Sequence, residues 1–280
     1  MPDQAKPDRD RSCAPRQPLN LANDRPPPVQ LQRLVIQPNQ LDDGHILLVP
    51  SQLHYLQRVL RLRQGDRFIA MDGQGQAWVA VLAAKAHESQ AEILEAITAH
   101  TELPIRVTLV AALPKGSGFD EVVRQATELG VDQILPVMSD RTLLNPSAQK
   151  RDRWQRIANE ATEQSERLYV PHIAEPIAFG HHLQQEADRQ QISDAPIQKY
   201  LGVARGTSPH LLECLQAGRS SDSTTPIYVA IGPEGGWTDT EVKQAIAVGY
   251  QPISLGDRIL RAVTAPVVAL SLIAAVWERR

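Results

Sequence analysis

Hydrophobic and polar positions change their spacing once along this chain, and the change divides it. Between Val29 and residue 100 the apolar residues come in short, β-branched runs. Leu31–Ile36, His45–Val49, Arg67–Met71, Ala77–Leu82 and Gln90–Ile97 read as strands. Polar turns at Asp42-Asp43-Gly44 and Asp72-Gly73-Gln74-Gly75 separate them. One helix is expected from Ser51, acting as its cap, with Leu53, Leu56, Val59 and Leu60 on one face. Together these predict a small barrel with one helix over residues 29–100, ending at the linker Thr101-Glu-Leu-Pro104.

Beyond Pro104 strands and helices alternate, which predicts a mostly parallel α/β sheet over residues 105–280. Arg106–Leu113 is a continuous apolar strand. The helix after it carries Phe119, Val122, Val123, Ala126 and Leu129 at helical spacing and stops at Gly130. Val131–Met138 is the next strand, and Arg151–Leu168 is an amphipathic helix with Trp154, Ile157, Ala158 and Ala161 inward. Glu160, Glu163, Gln164 and Arg167 fall on its polar side, where a solvated face is the default. Further strands are expected at Val170–Ile173, Tyr200–Ala204, Ile227–Ile231 and Pro252–Leu255, with helices at Ser208–Gln216 and Thr238–Val248. Gly218–Thr225 reads as a polar surface loop. The apolar helix Ala262–Trp277 falls short of the ~20 residues that a bilayer span needs and contains Pro266, so it reads as a core or interface helix.

Charge and composition narrow the chemistry. Residues 1–28 are rich in Pro, Asp and Arg without an apolar core, which predicts a disordered extension rather than a signal peptide. With 29 basic and 32 acidic residues the formal charge is −3, so any nucleic-acid surface has to be a local patch. Arg58, Arg61 and Arg63, on the outer side of the barrel helix and the turn after it, are candidates for phosphate contacts, weighed against an ordinary solvated face. Cys13 and Cys214 have no metal-ligand spacing, and His181-His182 lacks an HExxH partner and reads as surface. These features imply a reduced, cytoplasmic protein with no metal and no membrane segment. Neither GxGxxG after the first α/β strand, nor a P-loop, nor GxSxG is present.

What remains is a pair of unusual loops after predicted strands, where open α/β sheets bind ligands. Gly232-Pro-Glu-Gly-Gly236 offers three glycines in five residues for close backbone approach, with the carboxylate of Glu234 among them. The second loop is Leu255-Gly-Asp-Arg-Ile-Leu-Arg261. With Ala126-Thr-Glu-Leu-Gly130 and Glu160-x-x-x-Gln164-Ser-x-Arg167, they resemble the RsmE family, the 16S rRNA uridine-N3 methyltransferases of the SPOUT class. The resemblance runs in order from about Leu31 to the C-terminus.

That resemblance implies an α/β SPOUT-type trefoil-knot domain behind an N-terminal PUA-like, RNA-binding barrel. It implies S-adenosylmethionine (SAM) as cofactor, 16S rRNA of the small ribosomal subunit as partner, and a homodimer through the knotted domain. Carried over onto this sequence, the cofactor residues are Gly202, Ile231, Gly232, Pro233, Glu234, Gly235, Gly236, Leu255, Gly256, Ile259, Leu260 and Arg261. Arg261 and Glu234 are the catalytic candidates, and Arg58, Arg61, Arg63, Lys115, Arg141, Arg167 and Arg258 the RNA-binding ones. One departure stands out. Such sequences often read Leu-Arg-Thr-Glu-Thr where this chain has Leu260-Arg-Ala-Val-Thr264, so Val263 occupies a glutamate position. Three alternatives remain open: a SPOUT enzyme acting on another RNA, a non-catalytic RNA-binding protein of the same frame, and a metabolic α/β enzyme.

Overall fold

The computed structural model describes residues 31–83, 90–142, 146–192, 195–219 and 224–278. The predicted extension 1–28, with Cys13, lies outside the described residues, as does part of the loop before Thr225.

The first sheet comprises β1 (Arg33–Val35), β2 (Leu41–Asp42), β3 (His45–Leu47), β4 (Arg67–Met71), β5 (Ala77–Leu82) and β6 (Gln90–Ile97), in the order β1-β4-β5-β6-β3-β2. The tight turn with Asp43 and Gly44 at positive φ joins β2 to β3, whereas β1 pairs parallel with β4. Alternate residues of these strands, among them Leu34, Ile46, Phe68, Ala80 and Ala91, share one buried core. The helix α1 (Pro50–His54) starts two residues earlier than a cap at Ser51 would set it. Pro50 takes the first position, and the Gln52 carboxamide accepts from Val49 N at 3.0 Å, so Ser51 is not the cap. A single π-helical turn, Tyr55–Val59, carries Leu56 into the core and Arg58 outward.

The second sheet is parallel throughout. Its strands are β7 (Val107–Ala112), β8 (Gln133–Met138), β9 (His172–Ile173), β10 (Ile177–Ala178), β11 (Gln198–Gly202), β12 (Ile227–Ile231) and β13 (Gln251–Ile253), ordered β10-β8-β7-β12-β11-β13 with β9 also on β8. One face is covered by α2 (Gly118–Glu128), α3 (Ala148–Gln164), α5 (Leu211–Gly218) and α7 (Thr264–Trp277). The other is covered by α4 (Phe179–Ile192) and α6 (Asp239–Ala247). With helices on both faces the central strands are buried on both sides, which is why β7 and β12 read as unbroken apolar runs.

The chain closes in an unusual way. Val203 N donates to Ile253 O, Ser254 N to Pro209 O and Leu211 N to Ser254 O. The edge strand β13 is thereby stitched to the connection that leaves β11. The chain then returns so that α7 packs against α2, α5 and β12.

The two sheets are joined directly. Gly75 N donates to Leu168 O and Val170 N to Gly73 O, and Arg33 pairs with Glu166 at 2.7 Å. Val35, Met71, Ala77 and Leu168 form a small core between them. At the same junction Glu163 of α3 is 8% exposed, not solvated as its place in the sequence suggested. Its carboxylate accepts from Val35 N at 2.7 Å and covers the free edge of β1.

Burial is the main reason the Glu163 carboxyl is pushed up from 4.5 to about 7; Glu160 adds to the rise and the Val35 bond opposes it. A raised carboxyl binds its proton more tightly folded than unfolded, so it stabilises the fold below the unfolded value and loses that stability as pH rises through about 7. The span corresponds to roughly 3 kcal/mol at most. Glu163→Gln keeps an acceptor for Val35 N. Urea denaturation at pH 5 and pH 8 should show the variant gaining stability over the parent at pH 8; an equal difference at both pH values would contradict the assignment.

Candidate active site

At the C-terminal ends of β11, β12 and β13 lies a cavity of about 690 Å³, within the range that accepts a nucleoside-sized ligand. Its three walls are the segments leaving those strands: Gly202–Arg205, Ile231–Trp237 and Leu255–Ala262. The stitching of β13 to residues 203–211 brings the first and third together. Of the twelve cofactor candidates, eleven line this cavity. Arg261 does not. It stands between Leu260 and Ala262, which do, with its side chain exposed and its carbonyl accepting from Thr264 N and Ala265 N in the first turn of α7.

The glycine loop owes its shape to its residues. Gly236 sits at φ +67 and closes a turn through its N–H to Pro233 O at 2.8 Å. A Cβ at Gly232 would stand 3.2 Å from the Trp237 ring, so glycine lets that indole fold under the strand end. Trp237 stacks on Phe179 at 4.1 Å between ring centroids, which anchors the loop to α4. Thr238 then caps α6, its hydroxyl accepting from Glu241 N at 3.2 Å.

Two further loops meet this one. Glu234, exposed on the wall, accepts from Lys115 N at 3.1 Å, so the catalytic candidate also braces the segment between β7 and α2. Arg141, from the segment after β8, lines the cavity and donates through Nη1 to Gly235 O. The rim carries Arg141, Arg205, Lys243 and Arg258 against Glu234 and Asp239. A chain of net charge −3 thus presents a local surplus of positive charge at this opening. The residues fit SAM in kind: apolar walls from Ile231, Leu255, Ile259 and Leu260, loop backbone within reach, and the buried Trp237 indole N–H without a protein partner.

The other candidates are placed unevenly. Arg58, Arg61 and Arg63 are exposed on the barrel, with Arg61 at φ +58, and Lys115 and Arg258 are exposed on the α/β loops. Arg167 is a correction. It is 3% exposed, donates to Thr127 O at 2.8 Å and Val131 O at 2.9 Å, and pairs with Glu102 at 2.7 Å. It therefore satisfies the carbonyls at the end of α2 and is not available to RNA. Two of the four sequence motifs, 126–130 and 160–167, meet in this contact.

His182 is a second correction. It is buried, with Nε2 2.8 Å from Tyr250 Oη, and burial holds its pKa down at about 4, so the ring stays neutral. Val263 packs towards Gly118 at the start of α2, with Cγ1 3.0 Å from where a Cβ there would stand. Asp239, Lys243 and Trp237 were missed. Asp239 and Lys243 are four apart in the first turns of the helix that follows the loop, a spacing that turns both towards it. Among the described residues no cluster of His, Cys, Asp or Glu could hold a metal, and no helix is long and apolar enough to cross a membrane.

Comparisons with known proteins agree with this geometry. Residues 101–274 match the model of an RNA methyltransferase domain and residues 50–94 that of an RNA methyltransferase PUA domain. The chain is 48% identical over 250 residues to the ribosomal RNA small subunit methyltransferase E of Synechocystis sp., covering 89% of this chain and 79% of that protein. It is 29% identical to the corresponding protein of Bacillus subtilis, covering 80% and 87%. A crystal structure of the Neisseria gonorrhoeae ribosomal RNA small subunit methyltransferase E bound to S-adenosyl methionine superimposes with a TM-score of 0.75 at 29% identity, covering 88% of this chain and 98% of that one. The fold class expected from the sequence, a SPOUT-type α/β domain behind a PUA-like barrel, holds.

Arg167→Ala would take one donor from each of Thr127 O, Val131 O and the Glu102 carboxylate, although Thr127 O keeps Gly130 N and Glu102 keeps Leu168 N. Removing one member of a buried pair costs about 3–5 kcal/mol. Chemical denaturation should show that loss, whereas RNA affinity per folded molecule should stay at the parent value; a reduced affinity with unchanged stability would restore Arg167 to the RNA surface.

Proposed function

The chain belongs to the ribosomal RNA small subunit methyltransferase E family, and from that membership we propose that it methylates N3 of one uridine in 16S ribosomal RNA, with SAM as donor. The observation that carries the reading is the three-walled cavity, which gathers eleven of the twelve residues expected at the cofactor. When bound, SAM supplies a methyl group made electrophilic by its sulfonium sulfur. Uridine N3 is protonated at neutral pH, so a protein group has to accept that proton as the new bond forms. N3 also lies on the pairing edge, which requires the base to be unpaired or turned out of a stack.

Glu234 is the acceptor we assign. Its bond to Lys115 N fixes one carboxylate oxygen, and its loop places it on the cavity wall. Arg258, exposed on the Leu255–Ala262 wall of the same cavity, suits the negative charge that develops on the uracil oxygens. We assign Arg261 a supporting role from its position between wall residues Leu260 and Ala262. The barrel arginines Arg58, Arg61 and Arg63 would hold the RNA backbone, with Lys115 and Arg141 nearer the cavity. A homodimer through α7 fits the half-buried Val267, Val268 and Leu272 on that helix, in a protein working in the cytoplasm. Sedimentation at the mass of a single chain would contradict the dimer.

In single-turnover assays Glu234→Gln should slow methyl transfer by about 10²-fold or more, and Arg258→Ala by a similar factor, with SAM affinity retained. Arg261→Ala should be milder. A residue whose variant reacts at the parent rate is removed from the mechanism. The assignment itself rests on nucleoside mass spectrometry: 16S rRNA from a deletion strain should lack one 3-methyluridine, and its persistence would refute the proposed target. The double variant Arg58→Ala, Arg61→Ala should bind RNA more weakly and lower the slope of log K against log salt by roughly 1–2. Parental affinity would make this patch an ordinary solvated face.

A further inference from the structure

Glu241 takes no part in the cavity wall, yet it is 3% exposed and its carboxylate is fully used. Oε2 accepts from Thr238 N at 2.7 Å and from Thr238 Oγ1 at 3.0 Å, completing the cap of α6. Oε1 turns the other way and accepts from Asp140 N at 3.0 Å, across to the segment after β8. A capping glutamate does not need that second bond. The same segment is held by Ser139 Oγ, which accepts from Arg141 N at 3.2 Å, and by a hydroxyl contact of 3.2 Å between Ser139 and Thr142. Arg141, the next residue after Asp140, then reaches over the glycine loop. Its Cδ would stand 3.2 Å from a Cβ at Gly235, and its guanidinium donates to Gly235 O.

The result is a closed circuit. The exit of the glycine loop (Thr238) and the prop over its middle (Arg141 on Gly235) are both set by one buried carboxylate. We propose that Glu241 and Arg141 are positioning residues for the cofactor wall: Glu241 fixes Asp140 and so aims Arg141, and Arg141 holds Gly235 in the conformation that SAM meets. Arg141 was expected to bind RNA; its contact with Gly235 gives it a task that precedes RNA. The inference rests on the methyltransferase reading for the identity of the ligand, but the latch is a property of the protein alone.

The test uses the full chain. In ligand-free protein, amide exchange of residues 234–237 should speed up in Arg141→Ala and in Glu241→Gln, while exchange in the β12 core stays unchanged. Gln offers only one acceptor oxygen where Glu241 uses two. By calorimetry each variant should bind SAM about tenfold more weakly, the loss expected for one hydrogen bond to a charged group. The double variant should be no weaker than Arg141→Ala alone, because Glu241 acts through Arg141. Additive losses, or a lowered Tm in Glu241→Gln with SAM affinity and exchange at the parent values, would reduce Glu241 to a helix cap and overturn the proposal. Should Glu241→Gln fail to fold, Arg141→Ala still decides, since unchanged exchange and affinity in that variant overturn it as well. If the parent protein gives no heat with SAM, the methyltransferase reading is what fails, and the exchange comparison still decides the latch.

Discussion

Three backbone hydrogen bonds, from Val203 to Ile253, Ser254 to Pro209 and Leu211 to Ser254, hold the edge strand to the segment that leaves β11. The cavity depends on them more than on any side chain. A short strand of three residues at a sheet edge has little cohesion of its own. Tied on both flanks to a neighbouring connection, it becomes a fixed point from which the chain can turn back over the sheet. Without that fixed point Leu255–Ala262 would be an ordinary surface loop, and the cavity would lack one of its walls.

The interior carries more charge than its apolar sheet suggests. Lys199 and Glu186 pair at 2.6 Å with both side chains buried, and Lys199 also donates to Val248 O at 3.2 Å. Beside them His182 is kept neutral against Tyr250. Burying ions is costly unless every partner is supplied, and here the backbone supplies part of them. The two shifted groups pull in opposite senses. As pH falls from 6.5 towards 4, unfolding takes up a proton at His182 that the fold refuses, which weakens the fold. Over much the same range Glu163 gains its proton in the fold and strengthens it.

These buried polar groups also explain what could be read from the sequence. The longer strands, α2, α5 and α6, and both glycine-containing loops were legible because apolar spacing and turn residues report local structure directly, whereas the two-residue strands β2 and β10 were not. The helix α4 was not. Its buried face includes His182 and Glu186 where periodicity looks for aliphatic residues, so no helix was expected over Phe179–Ile192 and His181-His182 was read as surface. Arg167 and Glu163 were misplaced for the same reason: each is buried because it pairs with a distant backbone group, Arg167 donating to Thr127 O and Glu163 accepting from Val35 N. The pairing of β1 with β4 rather than β3 was hidden because register between strands far apart in sequence leaves no local mark. At the candidate site the loops were visible, but not which side chains of neighbouring loops reach them. Arg141 and Lys115 were found as charges; that one props Gly235 and the other offers its N–H to Glu234 is tertiary information.

The order of the cavity walls along the chain sets the order in which they can exist. A ribosome releases Gly202–Arg205 first, Ile231–Trp237 next and Leu255–Ala262 last, and the last wall is held only once α7 has docked behind it. During synthesis the barrel can therefore fold while the cavity is still open on one side. The cavity is thus the last feature to be completed in the birth of each molecule, because its third wall lies nearest the C-terminus.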